Sequence, residues 1–190
     1  MPTQAERSAA TTAALRREAR RLFAKHGFDA VAVDDIAAAA GMTRGAFYHH
    51  YAGKEALFDV VHEEVQAELA AAVRKAAAPY QDPYEQLLHG VDRYLELASD
   101  RRRNRIALVD GPAVLGPGRY QELQQTYFLR LVGVPLARLR EGTAEQHALT
   151  ARALMAAVCS LATHVAHRRT DLELARSVAA DLLRATATPS

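Results

Sequence analysis

The stretch that decides the fold is residues 40–55, which read AGMTRGAFYHHYAGKE. Gly41 stands where a tight turn between two helices needs a left-handed backbone, which glycine adopts at no steric cost. The hydroxyl of Thr43 can cap the next helix. That predicted helix, Thr43 to His50, is so short that it needs neighbours to stabilise it. It is crowded with guanidinium, phenol and imidazole groups, which suit the backbone and grooves of nucleic acid.

A second short helix is predicted directly before this turn, over residues 33–39. Val33, Ile36, Ala37 and Ala40 fall at helical spacing and form one apolar face. Two short helices joined in this way form a helix-turn-helix, whose second helix lies in the major groove of DNA. The sequence therefore predicts a DNA-binding unit near its N-terminus.

The residues around this unit carry a resemblance to a known family. They are Ala19-x-x-Leu22-Phe23-x-x-x-Gly27-Phe28, then Val33-x-x-Ile36-Ala37-x-x-Ala40-Gly41-Met42-Thr43-Arg44-Gly45-Ala46-Phe47-Tyr48-x-His50-Tyr51-x-x-Lys54-Glu55-x-Leu57-Phe58. This pattern, roughly the first third of the chain, resembles the DNA-binding domain of TetR/AcrR-type transcriptional regulators. Residues 108–116, LVDGPAVLG, resemble one branch of that family's ligand-binding domain.

The resemblance implies an all-α fold with two parts. Residues 1–53 would form a three-helix helix-turn-helix DNA-binding domain, and residues 54–190 a helical effector-binding and dimerisation domain. It also implies a homodimer on a palindromic double-stranded DNA operator, with repression relieved by a small-molecule effector. Two departures stand out: Val31 and Ala32 occupy the place of a usual Thr/Ser pair, and Thr12 that of a common basic residue. The helix cap and phosphate contacts of those family residues are therefore not expected here.

Seven residues are predicted to touch DNA. We expect Thr43, Arg44 and His49 to make base or near-base contacts. The amide of Gly45 can approach a phosphate because it has no side chain, and Tyr48, His50 and Lys54 are expected to bind phosphates.

The rest of the chain predicts one helix after another. The first three predicted helices span residues 11–26, 54–77 and 83–98. A fourth begins at Asp100 and ends at Gly111-Pro112, and a fifth spans residues 119–132, with Pro135 kinking or ending it. Two final helices begin at the capping boxes Thr143-x-x-Gln146 and Thr170-x-x-Glu173. Only residues 1–10 and 186–190 are expected to lack regular structure.

The last two helices carry small and apolar residues that favour close helix packing. They are Ala148, Ala151, Ala153, Ala156, Ala157, Ser160 and Ala162 in the first helix, and Leu174, Ala175, Val178, Leu182 and Leu183 in the second. They predict a two-fold dimer interface, since a helix-turn-helix usually reads two half-sites. The alternative is that this pair packs only within its own chain.

Aromatic and sulfur-containing side chains between these elements predict an effector pocket. The pocket residues predicted are Leu88, Val91, Tyr94, Tyr127, Met155 and Cys159. Tyrosine offers an apolar ring with one hydroxyl, which suits a hydrophobic ligand of little polarity. The alternative is that these rings fill an ordinary core.

Composition agrees with a cytoplasmic regulator. The net charge is only +2, and that surplus lies within residues 1–58, with eight Lys/Arg against six Asp/Glu. One cysteine excludes an internal disulfide, and neither a spanning apolar run nor a leader is apparent. No catalytic, metal or cofactor motif is found, so neither metal nor cofactor is expected, and His164 and His167 are interpreted as solvated. An enzyme or a helical protein that binds no DNA is the alternative class.

Overall fold

The computed structural model describes residues 3–168 and 171–187, in which every regular element is a helix. The helices are α1 (Gln4–His26), α2 (Val33–Ala39), α3 (Arg44–His50), α4 (Lys54–Ala77), α5 (Pro83–Ala98), α6 (Arg101–Asn104), a π-helical segment (Arg105–Asp110), α7 (Gly111–Leu139), α8 (Ala144–Arg168) and α9 (Leu172–Ala187). The all-α prediction is confirmed. The hydrophobic core runs without interruption from α1 to α9.

Both ends of the described chain are more ordered than the sequence predicts. α1 starts at Gln4 because Thr3 and Glu6 form a capping box, in which the Thr3 hydroxyl accepts from the Glu6 amide at 3.2 Å. α9 continues through Ala187. The prediction of irregular structure at residues 4–10 and 186–187 is therefore wrong, and Met1, Pro2 and residues 188–190 lie outside the described ranges.

The helix-turn-helix forms as predicted. Gly41 has φ 71° and supplies the left-handed turn between α2 and α3. Thr43 caps α3 by accepting from the Ala46 amide at 3.2 Å. Ala32, at the start of α2, has no side chain to offer as a cap, but its own amide donates to the Asp35 carboxylate at 2.9 Å.

An aromatic cluster joins the DNA-binding helices to α4. The rings of Phe23, Phe28 and Phe58 pack with centroids 5.1 to 5.7 Å apart. Phe23 and Phe58 are fully buried. The two ring pairs with Phe58 are edge-to-face, a geometry that adds to the free energy gained from burial, so the cluster stabilises the packing of α1 against α4.

The chain continues as helix where the sequence predicts an end at Gly111-Pro112. Proline is tolerated in the first turn of a helix, where no intrahelical amide bond is needed, and Pro112 occupies that place in α7. The break falls instead at Gly116, with φ 72° and ψ 165°. α7 also passes through Pro135 and ends at Leu139.

The capping box of α8 is confirmed, because the Thr143 hydroxyl accepts from the Gln146 amide at 3.2 Å. The box predicted at Thr170 lies outside the described residues. Next to it, the Asp171 carboxylate accepts from the Glu173 amide at 3.0 Å.

One helix contradicts the expectation that no run is long and apolar enough to cross a membrane. Residues Ala144–His167 of α8 pass that test by length and composition, with mean hydropathy 1.4 and 33% of the window buried. Such a helix can also belong to a soluble protein that covers it with a partner.

We expect Gly116→Ala to destabilise the protein by about 1–3 kcal/mol, because its φ and ψ fall in a region that is nearly restricted to glycine. Gly118→Ala is the matched control. It has open space around its Cβ position and should be neutral or stabilising by up to about 1 kcal/mol. Urea denaturation of the two variants measures the difference, and equal stabilities would contradict a strained bend.

Candidate DNA interface and effector cavity

α3 is attached to the molecule through a single buried aromatic ring. Phe47 is fully buried, and its ring packs against Tyr51 with a centroid distance of 6.0 Å. Arg44, Tyr48 and His49 of the same helix are exposed. A seven-residue helix held through Phe47 thus leaves these three side chains available for contact.

Arg44 is held near its neighbours on the exposed face. Its Nη1 donates to the Asp34 carboxylate at 3.0 Å, and its guanidinium lies 5.8 Å from the Tyr48 ring centroid. Both partners of the ion pair are more than half exposed, so the pair contributes little to stability. It orients the guanidinium and can exchange for a DNA contact at small cost.

His50 contacts the first helix. Its Nδ1 lies 3.3 Å from the hydroxyl of Thr12, which in turn donates to the Ser8 carbonyl at 2.9 Å. Thr12, which occupies the position where a basic residue is common, therefore orients the imidazole of His50.

Gly45 has no structural need to be glycine. A Cβ added there would meet only the Thr43 hydroxyl, at an ordinary 3.9 Å. The space at its Cβ position is thus open, as close approach of a phosphate to the backbone would require.

Lys54 makes contacts that its place in the sequence does not predict, and phosphate binding by this residue stays a prediction. Its Nζ donates to the carbonyls of Phe28 and Val31, both at 2.9 Å, and lies 4.0 Å from the Phe28 ring centroid. Two of its three donors are thus committed to the α1–α2 loop. These hydrogen bonds from Lys54 hold the start of α4 against that loop.

The same loop is held from the other side by the π-helical segment. The Phe28 amide donates to the Asp110 carboxylate at 2.9 Å, and Arg105 approaches that carboxylate at 3.9 Å. Nearby, His62 of α4 is fully buried with Nε2 3.4 Å from the Ala107 carbonyl. Burial lowers the pKa of His62 to about 4, so the ring is neutral at physiological pH.

A cavity of about 560 Å³ lies between α4, α5, α7 and α8. Its lining is mostly apolar, with a few polar groups; it includes Val73, Leu87, Gly90, Val91, Tyr94, Gln124, Tyr127, Phe128, Leu131, Pro135, Leu154, Met155, Val158 and Cys159. Two exposed arginines, Arg74 and Arg130, also border it.

The structure brings together five of the six residues predicted for an effector pocket. Val91, Tyr94, Tyr127, Met155 and Cys159 all line the cavity. That this cavity binds an effector stays a prediction.

The sixth predicted residue, Leu88, does not line this cavity. It faces α9, across a separate groove that also contains Arg176. Leu87 and Val91 are one turn apart on the cavity side of α5, whereas Leu88 is rotated by about 100° from Leu87.

Two polar residues that sequence reasoning missed lie in these sites: Asp34 and Gln124. Asp34 precedes the recognition helix by ten positions, and no sequence pattern pairs it with Arg44. Gln124 could have been found, because it falls one turn from both Tyr120 and Tyr127 on the aromatic face of α7 and breaks its apolar pattern.

The two buried ionisable groups of the cavity, Tyr94 and Cys159, are neutral. The Tyr94 hydroxyl and the Cys159 thiol lie 3.7 Å apart. Burial raises the pKa of both groups, so Cys159 is not an activated nucleophile. Tyr127, at the edge, donates to Glu63 at 3.0 Å. Among the described residues, no group of three His, Cys, Asp or Glu could hold a metal.

α8 and α9 leave apolar side chains uncovered. Leu149, Leu174, Val178 and Leu182 are 58%, 57%, 38% and 36% exposed, respectively. Ala153, Ala156 and Ser160 are exposed at helical spacing on α8. Of the small residues considered for an interface, Ala151 and Ala162 are instead fully buried within the chain, and Ala157 is half-buried.

The fold and the exposed recognition helix define a helix-turn-helix DNA-binding protein. Residues 15–61 match the model for bacterial regulatory proteins of the tetR family, and residues 84–188 match the tetracyclin repressor-like C-terminal domain. The chain therefore belongs to the TetR family, a non-enzymatic family of DNA-binding transcriptional repressors.

Sequence relatives agree with this assignment. The Transposon Tn10 TetC protein of Escherichia coli is 26% identical over 136 residues, covering 72% of this chain and 68% of that protein. The transcriptional repressor AcnR of Corynebacterium jeikeium is 45% identical over 56 residues, or 28% of this chain and 30% of AcnR.

Solved structures share the whole architecture. A TetR-family regulator from Pectobacterium atrosepticum superposes with a TM-score of 0.75 at 27% identity, covering 97% of this chain and 95% of the other. FadR from Thermus thermophilus, solved with lauroyl-CoA, has a TM-score of 0.68 at 24% identity, with 91% and 93% coverage.

We expect Lys54→Met to lower the free energy of unfolding by about 1–3 kcal/mol, because two loop carbonyls lose their donor. Lys25→Met, at an exposed position on α1, should change it by less than about 0.5 kcal/mol. Urea denaturation provides the measurement. Unchanged stability, together with a salt dependence of DNA binding lowered by about one unit, would restore Lys54 to phosphate binding.

Proposed function

We propose that the protein is a homodimeric repressor that binds a palindromic operator and is released by an apolar effector. The observation that carries this proposal is the recognition helix α3, buried through Phe47 and exposed through Arg44, Tyr48 and His49. No contact within the described chain accounts for exposing that combination of groups, whereas a major groove does. Because its target is genomic DNA, the protein acts in the cytoplasm.

The residues of α3 divide into two roles. Thr43, Arg44 and His49 face outward at the start and on the free side of the helix, where they can reach base edges. Tyr48, His50 and the Gly45 amide contact phosphates and set the depth of α3 in the groove. Lys54 supports these contacts indirectly, through the loop that holds α1, α2 and α4 together.

Dimerisation is proposed through the exposed faces of α8 and α9. Leu174, Val178 and Leu182 form one stripe, and Ala153 and Ala156 provide a surface on which a second helix can lie close. Two copies of this pair would make a four-helix bundle. It would cover the apolar side of α8 and set the spacing of the two recognition helices.

The cavity and the DNA-binding unit share α4. Val73 near the end of α4 lines the cavity, while Lys54 and Phe58 at its start contact the α1–α2 loop and its aromatic cluster. An effector that displaces α4 therefore moves α3. To act as a switch it must favour the DNA-released state; a hundredfold preference corresponds to about 2.7 kcal/mol.

Two known ligands of proteins with this fold are useful probes. The Thermus FadR structure contains lauroyl-CoA, and the RolR structure contains resorcinol. The apolar lining favours a hydrophobic ligand. Release of DNA by lauroyl-CoA but not by an uncharged apolar compound would show that Arg74 and Arg130 bind an anionic group and that the proposed effector class is wrong.

Operator binding is tested by selecting fragments of the source genome on the purified protein and measuring their affinity by mobility shift. We expect Gly45→Ala to weaken binding at least about tenfold, because the added methyl blocks close approach of a phosphate. The same change should leave stability equal or raise it by up to about 1 kcal/mol, since nothing in the free protein opposes a Cβ there.

Selection of no fragment above background would contradict the proposed function. Wild-type affinity in Gly45→Ala would contradict only the phosphate contact assigned to that amide.

We expect Ala156→Arg and Val178→Arg each to give folded monomers with much weaker operator binding, because the charge would be desolvated against the partner chain. Ala71→Arg, exposed on α4, is the matched control and should remain dimeric. Multi-angle light scattering reports the mass. Dimers in both interface variants would place the interface elsewhere.

A further inference from the structure

A buried amide group in the cavity has no partner. Gln124 on α7 is only 7% exposed and lines the cavity. Its Nε2 makes no hydrogen bond to any described residue. A buried N–H without an acceptor is costly and rare in folded proteins, so this atom indicates a missing hydrogen-bond acceptor.

The polar neighbours of Gln124 do not supply that acceptor. The Cys159 thiol donates to Oε1 at 3.8 Å and lies 3.7 Å from the Tyr94 hydroxyl. These contacts give the amide oxygen of Gln124 a hydrogen-bond partner and leave its nitrogen without one. Gln124 lies close enough to Tyr120 to oppose the rise that burial causes in the pKa of that phenol, but Nε2 forms no hydrogen bond of acceptable geometry with it.

The surroundings also define the charge of the missing group. The phenol of Tyr94 and the thiol of Cys159 are neutral, and the cavity's two arginines are exposed. A carboxylate placed against Gln124 would be desolvated without a buried cation to offset the cost. A neutral carbonyl oxygen accepts from Nε2 without that cost.

We propose that the effector is an apolar molecule with one uncharged carbonyl oxygen, as in a ketone, ester or amide, which accepts a hydrogen bond from Nε2 of Gln124. This deepens the proposed function, because it assumes that the cavity is the effector site. Gln124 is then a specificity residue: it selects for the carbonyl among compounds of the same shape and apolar area.

The test compares matched probes on the purified protein without DNA. 4-Phenylbutan-2-one is a ketone, and n-butylbenzene has nearly its shape without the oxygen. We expect Gln124→Met to weaken binding of the ketone about tenfold, equivalent to about 1.4 kcal/mol, and to leave binding of the hydrocarbon unchanged or tighter. Measuring the affinity of both probes for both the wild type and the variant cancels the difference in hydration between the ketone and the hydrocarbon.

Met155→Leu is the control, since it alters an apolar part of the same lining and should change both affinities by a similar factor. Equal effects of Gln124→Met on the two probes, or failure of the ketone to bind the wild type, would overturn the proposal.

A second measurement needs no variant. The infrared stretching frequency of a ¹³C-labelled ketone carbonyl should be lower when the ketone is bound to the protein than when it is dissolved in a hydrocarbon. Equal frequencies would also overturn the proposal. Because neither experiment contains DNA, failure here leaves operator binding intact, and absence of operator binding leaves this result standing.

Discussion

The six-residue loop between α1 and α2 is the constraint on which the DNA-binding unit depends. Its carbonyls accept from Lys54 at the start of α4, and its Phe28 amide donates to Asp110 of the π-helical segment. Both partners are charged, and hydrogen bonds to charged groups are stronger than those between neutral ones. The loop therefore joins the DNA-binding helices to the cavity-bearing helices at two points only a few residues apart.

This arrangement explains why the recognition helix can be so short. α3 contributes only Phe47 to the buried core, and its position is set by helices that are themselves anchored by the Phe23, Phe28 and Phe58 cluster. Outside the core, its contacts with the neighbouring helices are the partly buried contact of His50 with Thr12 and the exposed ion pair of Arg44 with Asp34. At Gly45, a larger residue would fit the free protein.

Around the cavity, by contrast, the packing of side chains is incomplete. α7 is bent at Gly116 and α5 presents glycine at position 90, one of the cavity-lining residues. Large rings surround the space without filling it, and Gln124 places an unpartnered donor on its wall. Such a site costs stability in the free protein, and the proposed effector would offset that cost by binding.

Local signals in the sequence determined the helix-turn-helix, the caps at Thr43 and Thr143, and most helix bounds. Each of these depends on residues within a few positions of one another, such as Gly41 beside Thr43. The same holds for the cavity face, because one-turn spacing places Val91 with Tyr94 and Tyr127 with Leu131. Local rules failed at Gly111-Pro112, where a proline can equally end one helix or begin another.

Only the tertiary structure decided which charged and polar groups meet. Lys54 lies beyond the recognition helix in sequence, and its type and position suit a phosphate as well as a loop carbonyl. Its contacts with Phe28 and Val31 span 26 and 23 positions, and that of Asp110 with Phe28 spans 82. Leu88 and Leu87 are equally apolar, and only the placement of α9 separates them. Because no single-sequence pattern encodes contacts at such separations, the sequence predicted the DNA-binding surface, and the structure identified what holds it in place.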